Sequence, residues 1–197
     1  MRYKLGSAVV VADGVAVTNR HVVEGSDGMK GVMAGGVEFP ITRVAISDRR
    51  DLAVVAIPCD TGKPIDIGSG VRVGELVYGA GTTFQSTLMS GIVVSTEFEI
   101  HHIDIVLPKA GKQDTQGRSV TRGFVFEGDF QDGFSGGPVV NAAGTLVGIH
   151  QGKILEFIRG QPAAMHGDGN TYGLAYHIAD VLNEVSDIAQ PLLSRCR

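Results

Sequence analysis

Short apolar runs rich in β-branched residues follow one another along the chain, and each is closed by Gly, Asp, Asn or Pro. This pattern predicts strands at Ser7–Ala12, Val15–Thr18, Val37–Val44, Leu52–Ile57, Val73–Tyr78 and Ser90–Ser95. The series continues at Ile103–Leu107, Phe124–Phe126, Pro138–Val140, Leu146–His150 and Thr171–Tyr176. Asp13-Gly14 between two apolar runs is a tight hairpin signal, and Ala143-Gly144 is another between Val140 and Leu146. Helical spacing appears near the C-terminus, where Ile178, Val181, Leu182, Val185 and Ile188 predict a helix over Ala175–Gln190, stopped by Pro191.

Many short, regularly punctuated strands argue for an all-β sandwich or barrel, with the helix laid against it. Cys59–Gly70 is poor in apolar residues and rich in turn formers, and reads as a linker between two halves. The expected units are 1–70 with an N-terminal barrel, 71–174 with a C-terminal barrel, and 175–197 with the helix and tail. Phe98–Gly123 contains the polar stretch KAGKQDTQGRSVTRG and reads as a long surface loop.

Composition narrows the picture. The chain has 197 residues, 43% of them hydrophobic and 19% charged, which is ample apolar surface for a packed core. The 28 glycines suit a fold of many tight turns. A net charge of −4 gives no broad basic face, so no nucleic-acid partner is expected. No apolar run approaches the roughly 18 residues of a membrane-spanning helix, so no membrane partner is expected. Of the two cysteines, Cys196 is next to last in the chain, and both read as free thiols, the alternative being a single long-range disulfide in an exported protein. With no signal peptide evident, that reading favours the cytoplasm, or export if a leader was trimmed.

Three segments carry the candidate chemistry: Thr18-Asn19-Arg20-His21-Val22-Val23, Asp51-Leu52-Ala53-Val54-Val55 and Gly133-Phe134-Ser135-Gly136-Gly137-Pro138. A serine hydroxyl is a weak nucleophile and needs an adjacent base. His21, at the end of an apolar strand-like run, can take the serine proton near neutral pH. A carboxylate such as Asp51 can orient the imidazole and stabilise its charged form. Glycines flanking Ser135 let the backbone turn sharply and aim the N–H groups of Gly133 and Ser135 at a developing oxyanion. Taken singly, each has an ordinary alternative: a core-edge histidine, a strand-capping aspartate, a Gly-Ser turn.

Together, TNRHVV, DLAVVAI and GFSGGPVVN followed by GTLVGI resemble the three catalytic blocks of trypsin-like serine proteases, closest to the HtrA-type branch. The order matches: His21 and Asp51 are 30 residues apart and Ser135 follows Asp51 by 84 (135 − 51). Tyr78-Gly79-Ala80-Gly81 and Ser90–Ser95 resemble further HtrA-type blocks, so the likeness runs from about Ser7 to Ile149. The resemblance implies two six-stranded antiparallel β-barrels with a His21, Asp51, Ser135 triad in the cleft between them. It implies a serine endopeptidase acting on protein or peptide substrates, without metal or other cofactor. Phe134 stands where animal trypsins hold the aspartate of their zymogen switch, so that switch is not expected. No PDZ module is expected after the single C-terminal helix.

Specificity stays open at this level. Leu146–Gly152 should line the primary pocket, and the substrate backbone should add as a strand along His150–Gly152. His150-Gln151-Gly152 resembles the block in which glutamyl endopeptidases read Glu or Gln with a histidine; alternatively His150 satisfies a local hydrogen bond. Asp129, six residues before Ser135, would instead select Lys or Arg if it floored the pocket, or it is a solvated loop carboxylate. Phe130 would fill the pocket and admit only small residues. His101, His102 and Asp104 make a poor chelate, since neighbours on a strand point to opposite faces. His166, Asp168 and Asn170 read as a loop. The rival functions are a dormant protease-fold binding protein and a regulatory protease switched on by oligomerisation or a partner.

Overall fold

A computed structural model describes residues 5–26, 28–33, 35–82, 86–101, 120–128, 130, 132–154, 157–158, 161–162, 172–189 and 196. The first half contains β1 (Val9–Ala12), β2 (Val15–Thr18), a short helix α1 (Arg20–Val23), β3 (Lys30–Val32), β4 (Glu38–Pro40), β5 (Arg43–Ile46) and β6 (Ala53–Ala56). The second contains β7 (Leu76–Thr82), β8 (Ser86–His101), β9 (Val120–Glu127), β10 (Pro138–Asn141) and β11 (Leu146–Ile154). It ends with β12 (Phe157–Ile158), β13 (Gln161–Pro162), β14 (Tyr172–His177) and the helix α2 (Ile178–Ala189).

The fold is mostly β, as the punctuation of the sequence predicts. In the first half, β1-β2-β6-β5 form an antiparallel sheet and β3-β4 a separate hairpin. In the second half, β10-β11-β14-β9-β8-β7 close into a six-stranded antiparallel barrel. Gly14, at the β1–β2 turn, has φ 71°, the left-handed geometry that the Asp13-Gly14 signal anticipates.

Every residue of β2 and of β6 is buried, so these strands read as unbroken apolar runs rather than alternating ones. One face meets a core that crosses both halves: Val17, Leu52 and Val54 cluster with Ile149, Tyr176, Ile178 and Val181. Each such fully buried aliphatic side chain contributes on the order of 1.5–3 kcal/mol. The barrel has its own core, built from Phe124, Phe126, Phe130 and Phe134 around Val77, Val93, Val139 and Val147. α2 buries Ile178, Val181 and Val185 and half-buries Leu182 and Ile188, as its spacing predicts, and it also buries Ala189 and Glu184.

Several expectations need correction. The helix begins at Ile178, because β14 runs on to His177. Val37–Val44 is two strands, broken after Pro40, whose ring cannot continue a ladder. Lys30–Val32 is an additional strand. The ends of Phe98–Gly123 are strand: β8 continues to His101 and β9 starts at Val120. The Ile103–Leu107 strand, His102, Asp104, His166, Asp168 and Asn170 lie outside the described residues.

The cysteines are not free. Cys59 and Cys196 form a disulfide across 137 positions of sequence, with Cα atoms 5.7 Å apart. The alternative of a long-range disulfide therefore holds over free thiols: Cys196 lies beside Gly14 and the residues following β6.

Candidate active site

His21 is not at a strand end. Asn19 breaks β2, and His21 sits in the single-turn helix α1, where its side chain is about half exposed while that of Asp51 is buried. Asp51 closes the turn that enters β6, which is paired with β2 throughout its length. That pairing fixes the two residues as neighbours. His21 Nδ1 lies 2.6 Å from Asp51 Oδ2, and the His21 backbone N–H donates to Asp51 Oδ1 at 2.9 Å. One carboxylate therefore holds both the ring and the main chain of the same histidine.

Further groups hold Asp51. The Asn19 amide donates to the Asp51 carbonyl at 2.9 Å. The Asp51 N–H donates to the Tyr176 hydroxyl at 3.3 Å, and the Gln151 amide reaches Asp51 Oδ2 at 3.4 Å. Burial works to raise the Asp51 carboxyl, but the side chain, charge and backbone N–H of His21, with Gln151, hold it below the usual carboxylate range. Burial, then the charge of Asp51, push the Tyr176 phenol upward, so it stays a neutral hydroxyl.

Ser135 is half-buried in the loop before β10. The loop is tied on several sides. Ser7 donates its N–H to the Ser135 carbonyl at 2.8 Å and its hydroxyl to the Gly133 carbonyl at 2.7 Å. The Ser7 carbonyl accepts from the Thr18 hydroxyl at 2.6 Å, which joins the loop to β2. The Gly136 N–H donates to the His150 carbonyl, and the His150 N–H to the Gly137 carbonyl, at 2.8 and 2.9 Å. Gly136 has φ 82°, and a Cβ there would stand 2.2 Å from the Thr18 hydroxyl and 2.8 Å from the Asn19 nitrogen. The absence of a side chain lets the loop lie directly against the segment that leads into His21. Among the described residues, the N–H groups of Gly133 and Ser135 donate to no protein acceptor, and no hydrogen bond joins the Ser135 hydroxyl to His21.

The expected pocket residues separate. Phe130 and His150 are buried together below the Ser135 loop, among Phe126 and Phe134. Gln151 turns to Asp51 rather than to the pocket. Gly152 lies at a bulge where β11 slips its register against β14. Asp129 lies outside the described residues. β11 pairs with β14 to its end at Ile154, but with β10 only as far as Ile149, so on that side no described strand pairs with it from Gln151 onward.

Neither ring nitrogen of His150 has a hydrogen-bond partner among the described residues. Burial, then the charge of Lys153, push this imidazole down to about 4, against a smaller opposing effect of the nearby Phe134 carbonyl, which makes no hydrogen bond to the ring. His150 is therefore neutral near pH 7.

Residues 6–149 match the family model of the trypsin-like peptidase domain. The chain belongs to this family. This trypsin-like peptidase domain is 30% identical over 155 residues to a rat protein named serine protease HTR4, covering 76% of this chain and 30% of that protein. It is 32% identical over 156 residues to the bovine mitochondrial serine protease HTRA2, covering 76% of this chain and 31% of that one. The chain thus spans about a third of the length of these relatives. Its fold is that of the active form of the Rv3671c protease from M. tuberculosis, with a TM-score of 0.75 at 22% identity over 93% of this chain and 73% of the other. No helix among the described residues is long and apolar enough to cross a membrane.

Asn19, Tyr176 and Ser7 were not legible as site residues. Asn19 lies in the Thr18–Val23 segment, where nothing local singles out its amide for the Asp51 carbonyl 32 residues away. Tyr176 and Ser7 reach the site only through the tertiary fold, and their local sequence carries no signal for it.

Proposed function

We propose that the chain is a serine endopeptidase that works through an acyl-enzyme, with Ser135 as nucleophile, His21 as general base and acid, and Asp51 as the orienting carboxylate. The observation that carries this reading is the double hold of Asp51 on His21, beside a glycine-flanked Ser135 loop. Asp51 accepts from Nδ1 of His21, which leaves Nε2 as the acceptor for the Ser135 proton. Ser135 Oγ then adds to the scissile carbonyl, and the N–H groups of Gly133 and Ser135 receive the oxyanion. His21 returns the proton to the departing amine, and a water activated in the same way releases the acid. Substrate backbone adds as a strand on the edge of β11 beyond His150, which no described strand covers.

For the residue before the cut, we propose Gln or Glu. A neutral imidazole whose two nitrogens have no partner among the described residues, walled by aromatic rings, can donate to a side-chain carbonyl or carboxyl oxygen. The Cys59–Cys196 pairing favours, within this reading, work in an oxidising compartment rather than in the cytoplasm.

The test is digestion of a peptide library by the chain and by Ser135→Ala, with the cut sites sequenced. Serine-dependent cuts after Gln or Glu are expected. Cuts after small residues would mean that Phe130 closes the pocket, and cuts after Lys or Arg that Asp129 reads it. Equal cutting by Ser135→Ala would overturn the mechanism, and no cutting by either protein would favour a dormant protease-fold binding protein.

A further inference from the structure

The C-terminal helix carries a buried charge that the chemistry above does not use. Glu184 is 1% exposed on α2, where a polar residue at helical spacing would be expected to face water. Its carboxylate is bonded to two residues of the turn between β5 and β6. One oxygen accepts from the Ser47 hydroxyl, and the other pairs with the Arg50 guanidinium. The Ser47 oxygen in turn accepts the backbone N–H groups of Arg49 and Arg50, each at 3.0 Å. The Ser47 N–H donates to the Leu52 carbonyl at 3.0 Å. Asp51 is therefore enclosed in a turn whose backbone is folded around one hydroxyl, and that hydroxyl is held by Glu184.

A second strut comes from the same part of the chain. Tyr176, at the end of β14 and just ahead of α2, accepts the Asp51 N–H. The β14–α2 segment thus grips the Asp51 turn at its start, through Ser47 and Arg50, and at Asp51 itself. An isolated buried carboxylate is costly, and a buried ion pair often adds little net stability compared with apolar residues of the same size. The arrangement is explained by what it fixes: the position of Asp51 relative to His21.

We infer that Glu184 is a positioning residue, which acts through Ser47 and Arg50 to hold the carboxylate of Asp51 in register with His21, so that the C-terminal helix is part of the apparatus that sets activity. This rests on the reading of His21, Asp51 and Ser135 as a triad. Misplacement of a reacting group by about 1 Å can cost on the order of a hundredfold in rate. Glu184→Gln keeps an acceptor for Ser47 but turns a donor toward Arg50. Ser47→Ala removes the hydroxyl hub and keeps the ion pair. Arg50→Met with Glu184→Met replaces the pair by apolar side chains, and keeps a folded control if a single variant is unstable.

The experiment has two readouts on these variants, taken at a temperature where each is folded by circular dichroism. The first is the NMR signal of the His21 Nδ1 proton in a Ser135→Ala background, which reports the His21–Asp51 bond whether or not the chain cleaves anything. The second is kcat and KM on a peptide that the unmodified chain cuts. The proposal expects the His21 signal to shift or broaden in all three variants, with kcat down about ten- to a hundredfold and KM nearly unchanged. An unchanged His21 signal and unchanged kcat, with only a lower Tm, would make Glu184 a structural brace and overturn the proposal. A chain that cuts equally well as Ser135→Ala would instead sink the triad reading, while the His21 signal would still decide whether Glu184 positions Asp51.

Discussion

His150 lies nearly face to face with Phe130, ring centroids 5.4 Å apart and planes 17° from parallel, both buried beneath the Ser135 loop. A histidine in such a place costs stability whenever it must take up a proton. Burial pushes its imidazole down to about 4, from an ordinary value of 6.5. Between these two values the unfolded chain binds a proton that the folded chain does not.

Stability is therefore expected to fall as pH drops from about 6.5 to about 4, by roughly 3 kcal/mol from this residue alone, and to show no further loss from it below that window. Urea unfolding at pH 7 and at pH 4.5 would measure it. His150→Leu should lose less stability than the unmodified chain over the same interval. Equal losses in the two proteins would show that His150 does not titrate in this way.

The stack depends on a residue across the barrel. Gly79 on β7 has no side chain, and a Cβ there would stand 2.1 Å from the Phe130 ring. Gly79→Ala should overpack the barrel core at a cost of about 1–3 kcal/mol. Phe130→Leu makes room, so the double variant should be more stable than the sum of the two single effects predicts, by about 1 kcal/mol. Thermal unfolding of all four proteins closes this cycle, and strict additivity would refute the contact.

The disulfide leads to a separate expectation. It closes a loop of 137 positions between the end of the first sheet and the tail after α2. In the chain-entropy account, opening a loop of that size costs about 5 kcal/mol. Cys59→Ser with Cys196→Ser should lower the unfolding free energy by several kcal/mol at pH 7, and the denatured, unreduced parent should show no titratable thiol. Two reactive thiols in that parent would mean that the bond does not form.

These results mark where the sequence could be read and where it could not. β2, β6 and the Ser135 loop are built from local signals: a β-branched run, a run of apolar residues with a turn on either side, a glycine-flanked serine before a proline. β2 ends at Thr18 as its pattern predicts, but His21 read as the end of the same apolar run, because one turn of helix over Arg20–Val23 is too short to show a helical period. The turn into α1 is imposed by Asp51, which takes the His21 N–H from 30 residues away. The cysteine pair failed for the same reason on a larger scale, since closure depends on the path of the whole second half. Glu184 looks like an ordinary solvent-facing helix residue until β5 and β6 are laid against α2. Gln151 illustrates the converse: its neighbour His150 drew it into the pocket reading, while the bulge of β11 between His150 and Gly152 leaves Gln151 unpaired with β14 and its amide reaches Asp51.

The central claim is that Ser135 is a nucleophile activated by His21 and Asp51. Labelling with a fluorophosphonate, followed by mass spectrometric mapping of the adduct, tests it most directly, because only an activated serine reacts at an appreciable rate. The account predicts one adduct, on Ser135, absent from His21→Ala. Labelling that persists in Ser135→Ala, or that is unchanged when His21 is removed, would contradict it.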